Sequence, residues 1–149
     1  VRCAKGWHCM NAFKLEIVTP ERIFYNGTAE SLILNTPDGQ LGVLYGHEPM
    51  VATLEASELT VKINGENRVA VCTGGFLEML GEQAYIFVQS IEWLEEIDVA
   101  RAEIALARAK RKLEAADNIY DRQRFLWALE RAETRLKAVE HRQQNGNGK

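Results

Sequence analysis

A chain of 149 residues with a net charge of −3 has room for one small domain, or for one small domain and an appendage. The mild acidity argues against a dedicated nucleic-acid binder, and no apolar stretch approaches the ~20 residues of a membrane helix. A membrane would therefore be reached only through a protein partner. Three cysteines, Cys3, Cys9 and Cys72, form no familiar framework, which fits a reducing cytoplasm.

Residues 1–9 show no strand or helix period. Cys3, His8 and Cys9 lack a fourth nearby ligand and a zinc-like spacing, so no metal site is assigned. Met10 reads as the natural start and residues 1–9 as an extension ahead of it. From Phe13 the pattern has period two: Phe13, Leu15 and Ile17 alternate with Lys14, Glu16 and Val18 until Pro20 stops the strand. A second strand, 31–34, ends at Thr36-Pro37-Asp38-Gly39, a turn in which proline fixes one dihedral and glycine supplies a positive one. Leu59, Val61 and Ile63 alternate up to Asn64-Gly65, and residues 69–72 return. Asn-Gly between alternating runs predicts a hairpin, because both residues tolerate the positive φ of a type I′ turn. Cys72 reads as a small core residue. Gly74-Gly75 meets a demand for positive φ or for close strand approach. Residues 84–88 read as a last strand. Short strands, close turns and no intervening helix predict an antiparallel β-sandwich or barrel over residues 10–96.

The pattern changes within residues 92–102. Through Ile97 there are 6 basic and 13 acidic residues; after it there are 12 and 8. Ala102, Ala105, Leu106, Ala109 and Leu113 form one helical stripe; Phe125, Leu129, Ala132, Leu136 and Val139 form another. The break at Ala116-Asp117-Asn118 makes an antiparallel helical hairpin over residues 97–144, with 145–149 expected to be disordered. Both stripes are thin and rich in alanine, so the hairpin is marginal alone and suited to movement. Trp93 and Trp127 read as packing residues.

The residues assemble no catalytic constellation. His47 and His141 lie in different modules, and neither a GxxxxGK loop nor an HExxH pair occurs. The expectation is a protein without bond chemistry. Arginines are the distinctive feature of the helices. Arg101 and Arg108 lie seven apart on the first, and Arg124, Arg131, Arg135 and Arg142 share a face of the second. Spacing alone favours a solvated face paired with Glu103, Glu130 and Glu133. The alternative is that two antiparallel rows converge on one anion, for which guanidinium is the better phosphate fork. Asp98, ahead of a helical run, is also a preferred N-cap.

Four segments carry a resemblance: 14–20 (KLEIVTP), 39–49 (GQLGVLYGHEP), 74–78 (GGFLE) and Ile97-Asp98-x-x-Arg101-Ala102. In this order they resemble the nucleotide-binding epsilon subunits of bacterial F-type ATP synthases, from Phe13 to Arg142. The resemblance implies a non-catalytic central-stalk subunit. Its sandwich would clasp the gamma subunit and rest on the c-ring, coupling proton flow to rotation at the cytoplasmic face of the cell membrane. Its hairpin would bind ATP when compact and, when extended, reach the alpha/beta catalytic head and inhibit hydrolysis. By matching position, Glu92, Asp98, Arg101, Arg108, Arg131 and Arg135 would hold ATP, a regulatory ligand rather than a required cofactor. Gln40, His47 and Glu48 would lie in loops facing the c-ring, although many relatives carry Glu where this chain has Gln40. Arg124, Arg131, Arg135 and Arg142 would form the inhibitory basic face. The rival readings are a free-standing ATP sensor and a helical-hairpin adaptor.

Overall fold

The computed structural model describes residues 11–146. The readings of Cys3, His8, Cys9 and Met10, and of residues 147–149, lie outside them. Ten strands precede two helices among the described residues: β1 Phe13–Val18, β2 Ile23–Ala29, β3 Ser31–Thr36, β4 Gly39–Leu44, β5 Met50–Leu54, β6 Ser57–Ile63, β7 Glu66–Cys72, β8 Gly75–Leu80, β9 Gln83–Val88 and β10 Ile91–Trp93, then α1 Val99–Glu114 and α2 Ile119–Gly146.

The strands form two five-stranded sheets, ordered β2-β1-β9-β8-β5 and β10-β7-β6-β3-β4. Their inner faces are built by alternation. Phe13, Leu15 and Ile17 of β1 are buried, as are Leu32 and Leu34 of β3, Leu59 and Val61 of β6, Leu77 and Met79 of β8, and Ala84 and Ile86 of β9. This is the expected sandwich. One ladder departs from the antiparallel rule: β1 runs parallel to β9, with Leu15 opposite Ala84 and Ile17 opposite Ile86. The two strands are distant in sequence, so no tight turn imposes their relative direction.

Asn64 and Gly65 both adopt positive φ, at 51° and 81°, and join β6 to β7 as a type I′ turn requires. Gly75 has no positive φ. A Cβ there would collide with the Phe87 carbonyl oxygen, so close strand approach is what the glycine serves. Cys72 is buried, and that burial pushes its thiol up to about 11.

The chain divides into two compact units, 1–91 and 92–149, five residues earlier than the expected boundary after Glu96. The reason is local. Leu94–Glu96 form a 3-10 turn that contacts α2, and Glu92 bonds to Arg135, so these residues belong with the helices. Asp98 caps α1, its Oδ1 accepting the Arg101 backbone N–H at 3.1 Å. Asn118, in the predicted break, caps α2 through Oδ1 to the Asp121 N–H at 2.8 Å. The helix runs through Asn145 and Gly146, past the expected end at 144.

The two helices pack on each other, and their only buried residues are Ala102, Ala109, Ala132 and Ala138. Ala105, assigned to the inner stripe, is exposed, whereas Leu106, Leu113, Phe125, Leu129, Leu136 and Val139 are half-buried. Trp93 is buried, as a packing residue should be, but Trp127 is 58% exposed. It lies two residues before Leu129 and nine before Leu136, so it projects from the side of α2 opposite that half-buried stripe.

Candidate functional site

Within the helical unit a cleft of about 470 Å³ is lined by Glu92, Glu96, Ile97, Asp98, Arg101, Ala102, Ile104, Ala105, Arg108 and Arg135. The segment 92–98 supplies one wall. Residues 101, 104, 105 and 108 recur at helical spacing and supply the α1 wall, and Arg135 enters from α2. Five of the six residues that the resemblance assigns to ATP line this cleft. Arg131 does not. It is exposed, one helical turn before Arg135, and the packing of α2 directs Arg135 rather than Arg131 to the cleft.

Arg135 Nε donates to Glu92 Oε2 at 2.7 Å, with side chains 27% and 43% exposed. An ion pair this open to water is worth ~0–1 kcal/mol, so a stronger anion can displace the carboxylate. Asp98 is committed through Oδ1 to the helix cap, which leaves its second oxygen available. Arg101 and Arg108, seven residues apart, are ~10 Å apart along the helix axis. The lining offers no histidine, hydroxyl or thiol. It is suited to holding an anion through guanidinium groups, not to attacking one.

The remaining basic residues disperse. Arg142 lines a separate cleft of about 580 Å³ with Leu94, Glu95, Ile97, Val99, Val139, Gln143 and Gly146. Arg124 is exposed and lines neither cleft. The row of four read along α2 therefore faces three surroundings. No group of three or more metal-ligating side chains occurs among the described residues.

In the sandwich, His47 and Glu48 occupy the loop between β4 and β5, with His47 Nδ1 2.8 Å from the Glu48 carbonyl oxygen. Gln40 is not in a loop. It sits in edge strand β4 opposite Asn35, because the turn of Pro37 and Asp38 is tight enough for the ladder to begin at Gly39. Sequence reading missed Tyr45, whose hydroxyl donates to Glu82 Oε1 at 2.7 Å and ties the β4–β5 loop to the β8–β9 turn. The carboxylate acceptor and its charge hold the Tyr45 hydroxyl above its usual range. On the outer face of the first sheet, Val18, Phe87, Phe76 and Thr53 lie in one cross-strand row. Phe76 and Phe87 stack at 4.9 Å.

A sandwich with an apolar outer row, followed by a helical pair with an arginine-lined cleft, defines a class of two-module proteins, a β-sandwich joined to a helical hairpin. The comparisons specify which. Residues 12–94 match the family described as the beta-sandwich domain of the ATP synthase delta/epsilon chain, and residues 95–140 match its long alpha-helix domain. The ATP synthase epsilon chain of Caldicellulosiruptor bescii is 38% identical over 131 residues, covering 88% of this chain and 96% of that one. The epsilon chain of Staphylococcus epidermidis is 39% identical over 132 residues, covering 88% and 98%. A chain in the mitochondrial ATP synthase of Euglena gracilis, solved with OSCP, F1 and c-ring, superposes with a TM-score of 0.70 at 26% identity, covering 84% of this chain and 79% of that one. One from the central stalk and c-ring of Tetrahymena thermophila, 13% identical, shares the fold with a TM-score of 0.61 over 85% and 95%. This chain belongs to the delta/epsilon chain family of ATP synthase, a family of non-catalytic stalk subunits.

Proposed function

We propose that this chain is the epsilon-type rotor subunit of a bacterial F-type ATP synthase and that its helical unit is an ATP-responsive brake on hydrolysis. The sandwich docks on gamma and the c-ring. The outer row of Val18, Phe76 and Phe87 suits an apolar partner face. The β4–β5 loop, braced by Tyr45 and Glu82, suits a rigid contact. The Euglena relative, solved within an F1 and c-ring assembly, supports the same reading. No helix among the described residues is long and apolar enough to cross a membrane. In this reading attachment runs through gamma and the c-ring, at the cytoplasmic face of the membrane.

The observation that carries the ligand half is the cleft itself. Arg101, Arg108 and Arg135 converge on a volume within the ~300–1,000 Å³ of small-molecule sites, beside Glu92 and Asp98, which can take the donors of a base or ribose. ATP bound there holds the helices together and opposes an extended form that reaches the catalytic head, by as much as it prefers the paired form. Calorimetric titration of the whole chain with ATP and Mg-ATP tests this, with saturable one-site binding expected. A flat titration at millimolar ATP removes the ligand half. Co-purification with gamma separates the rotor reading from that of a free-standing sensor, which predicts no complex.

A further inference from the structure

We infer that Ile104 is a ligand-contact residue of the helical cleft, the apolar wall against which the nucleoside part of a nucleotide rests; this builds on the nucleotide reading above. Ile104 is 62% exposed, although it lies within α1, where a large apolar side chain ordinarily turns inward. It follows Arg101 by three residues and precedes Arg108 by four, so all three project from one helical face at one-turn intervals. All three line the cleft, and the neighbouring lining residue Ala105 is small.

A bare polyanion is recognised by the guanidinium groups and gains nothing from an isoleucine set between them. An anion that carries a flat, weakly polar body uses both. Its phosphate oxygens take the charged donors, and its base or ribose removes apolar isoleucine surface from water. Arg101 and Arg108, ~10 Å apart along the axis, leave a gap of about one sugar or base between cations, and Ile104 fills it.

The test is calorimetric titration of the full chain with ATP and, separately, with inorganic tripolyphosphate. The wild type is compared with Ile104→Ala and Ile104→Leu. Alanine is the better helix former, and circular dichroism checks that the helices persist. Ile104→Ala is expected to weaken ATP about fivefold and to leave tripolyphosphate within about twofold, while Ile104→Leu keeps ATP within about twofold of wild type. ATP weakened by Ile104→Ala with tripolyphosphate too weak to titrate supports the same assignment. Unchanged ATP affinity, or equal weakening of both ligands, overturns the role of Ile104 and leaves the nucleotide reading of the cleft standing. A wild-type chain that binds neither ligand at millimolar concentration overturns both.

Discussion

Arg135 and Glu92, 43 positions apart in the chain, meet at 2.7 Å inside the arginine-lined cleft. The cleft thus carries its own counter-anion, and any phosphate that enters has to take Arg135 from a carboxylate already holding it. Removing the arginine deletes a donor and leaves Glu92 facing the ligand as a bare negative charge. Arg135→Ala is expected to weaken ATP at least tenfold (~1.4 kcal/mol) without altering the melt of the sandwich. Titration calorimetry on the variant measures this. Unchanged affinity in the double variant Arg101→Ala/Arg135→Ala would show that phosphate binds elsewhere.

Gly75 is expected to be far less replaceable than Gly42, although both lie in strands. A Cβ at Gly75 meets the Phe87 carbonyl, which the β8–β9 ladder holds in place, whereas a Cβ at Gly42 meets nothing within 4 Å. Gly75→Ala should cost about 2–3 kcal/mol by overpacking, and Gly42→Ala should stay within about 0.5 kcal/mol of wild type. Urea denaturation of the two variants measures the difference directly.

Alkaline pH should destabilise the sandwich through Cys72. Its folded-state thiol is raised from 9.0 to about 11 by burial, so between these values the unfolded chain loses a proton that the folded chain keeps. The contribution is fully present below pH 9 and lost as pH rises through 11, about 3 kcal/mol in all. Stability at pH 8 and pH 10.5, measured in wild type and in Cys72→Ala, isolates this thiol from tyrosine and lysine titration. Equal pH slopes in the two proteins would remove the effect.

Deletion of residues 98–149 is expected to leave a β-unit that melts cooperatively and still assembles with gamma, since β10 ends at Trp93. The assembled enzyme should hydrolyse ATP faster and synthesise it about as well, and its response to ATP as a regulator should vanish. Hydrolysis rates in purified complexes, with phosphate and ADP controlled, provide the measurement. Unchanged hydrolysis would place the brake in another subunit.

The sandwich was legible where alternation and turn chemistry agree, in β1, β3, β6, β7 and β9. All four edge strands, β2, β4, β5 and β10, escaped that reading. An edge strand has one neighbour and a face open to solvent, so β2 (IFYNGTA) and β4 (GQLGVL) carry glycine and polar residues that blur the period. β8 escaped for another reason: Phe76, Leu77, Met79 and Leu80 are apolar on both faces, and alternation disappears.

At the cleft, Glu92, Asp98, Arg101, Arg108 and Arg135 were named by resemblance. Spacing alone could not choose between Arg131 and Arg135, because one turn apart they share a face of the helix and differ only in position along its axis, which the packing against α1 sets. Ile104 gave a signal that went unread, an isoleucine between two arginines on a polar face. Trp127 was misread because an aromatic within a helix resembles a core residue, yet it falls opposite the stripe of Leu129, Ala132 and Leu136.

That stripe has a consequence for sensitivity. The helices fully bury only four alanine side chains, and the leucines, Phe125 and Val139 beside them stay partly in water. Side chains left half wet gain less than a fully buried core, where each leucine is worth ~1.5–3 kcal/mol. A solute at a hundred times its Kd adds ~2.7 kcal/mol to whichever form binds it. If the helical pair binds ATP as proposed, its joined form would respond to solute abundance over about two decades.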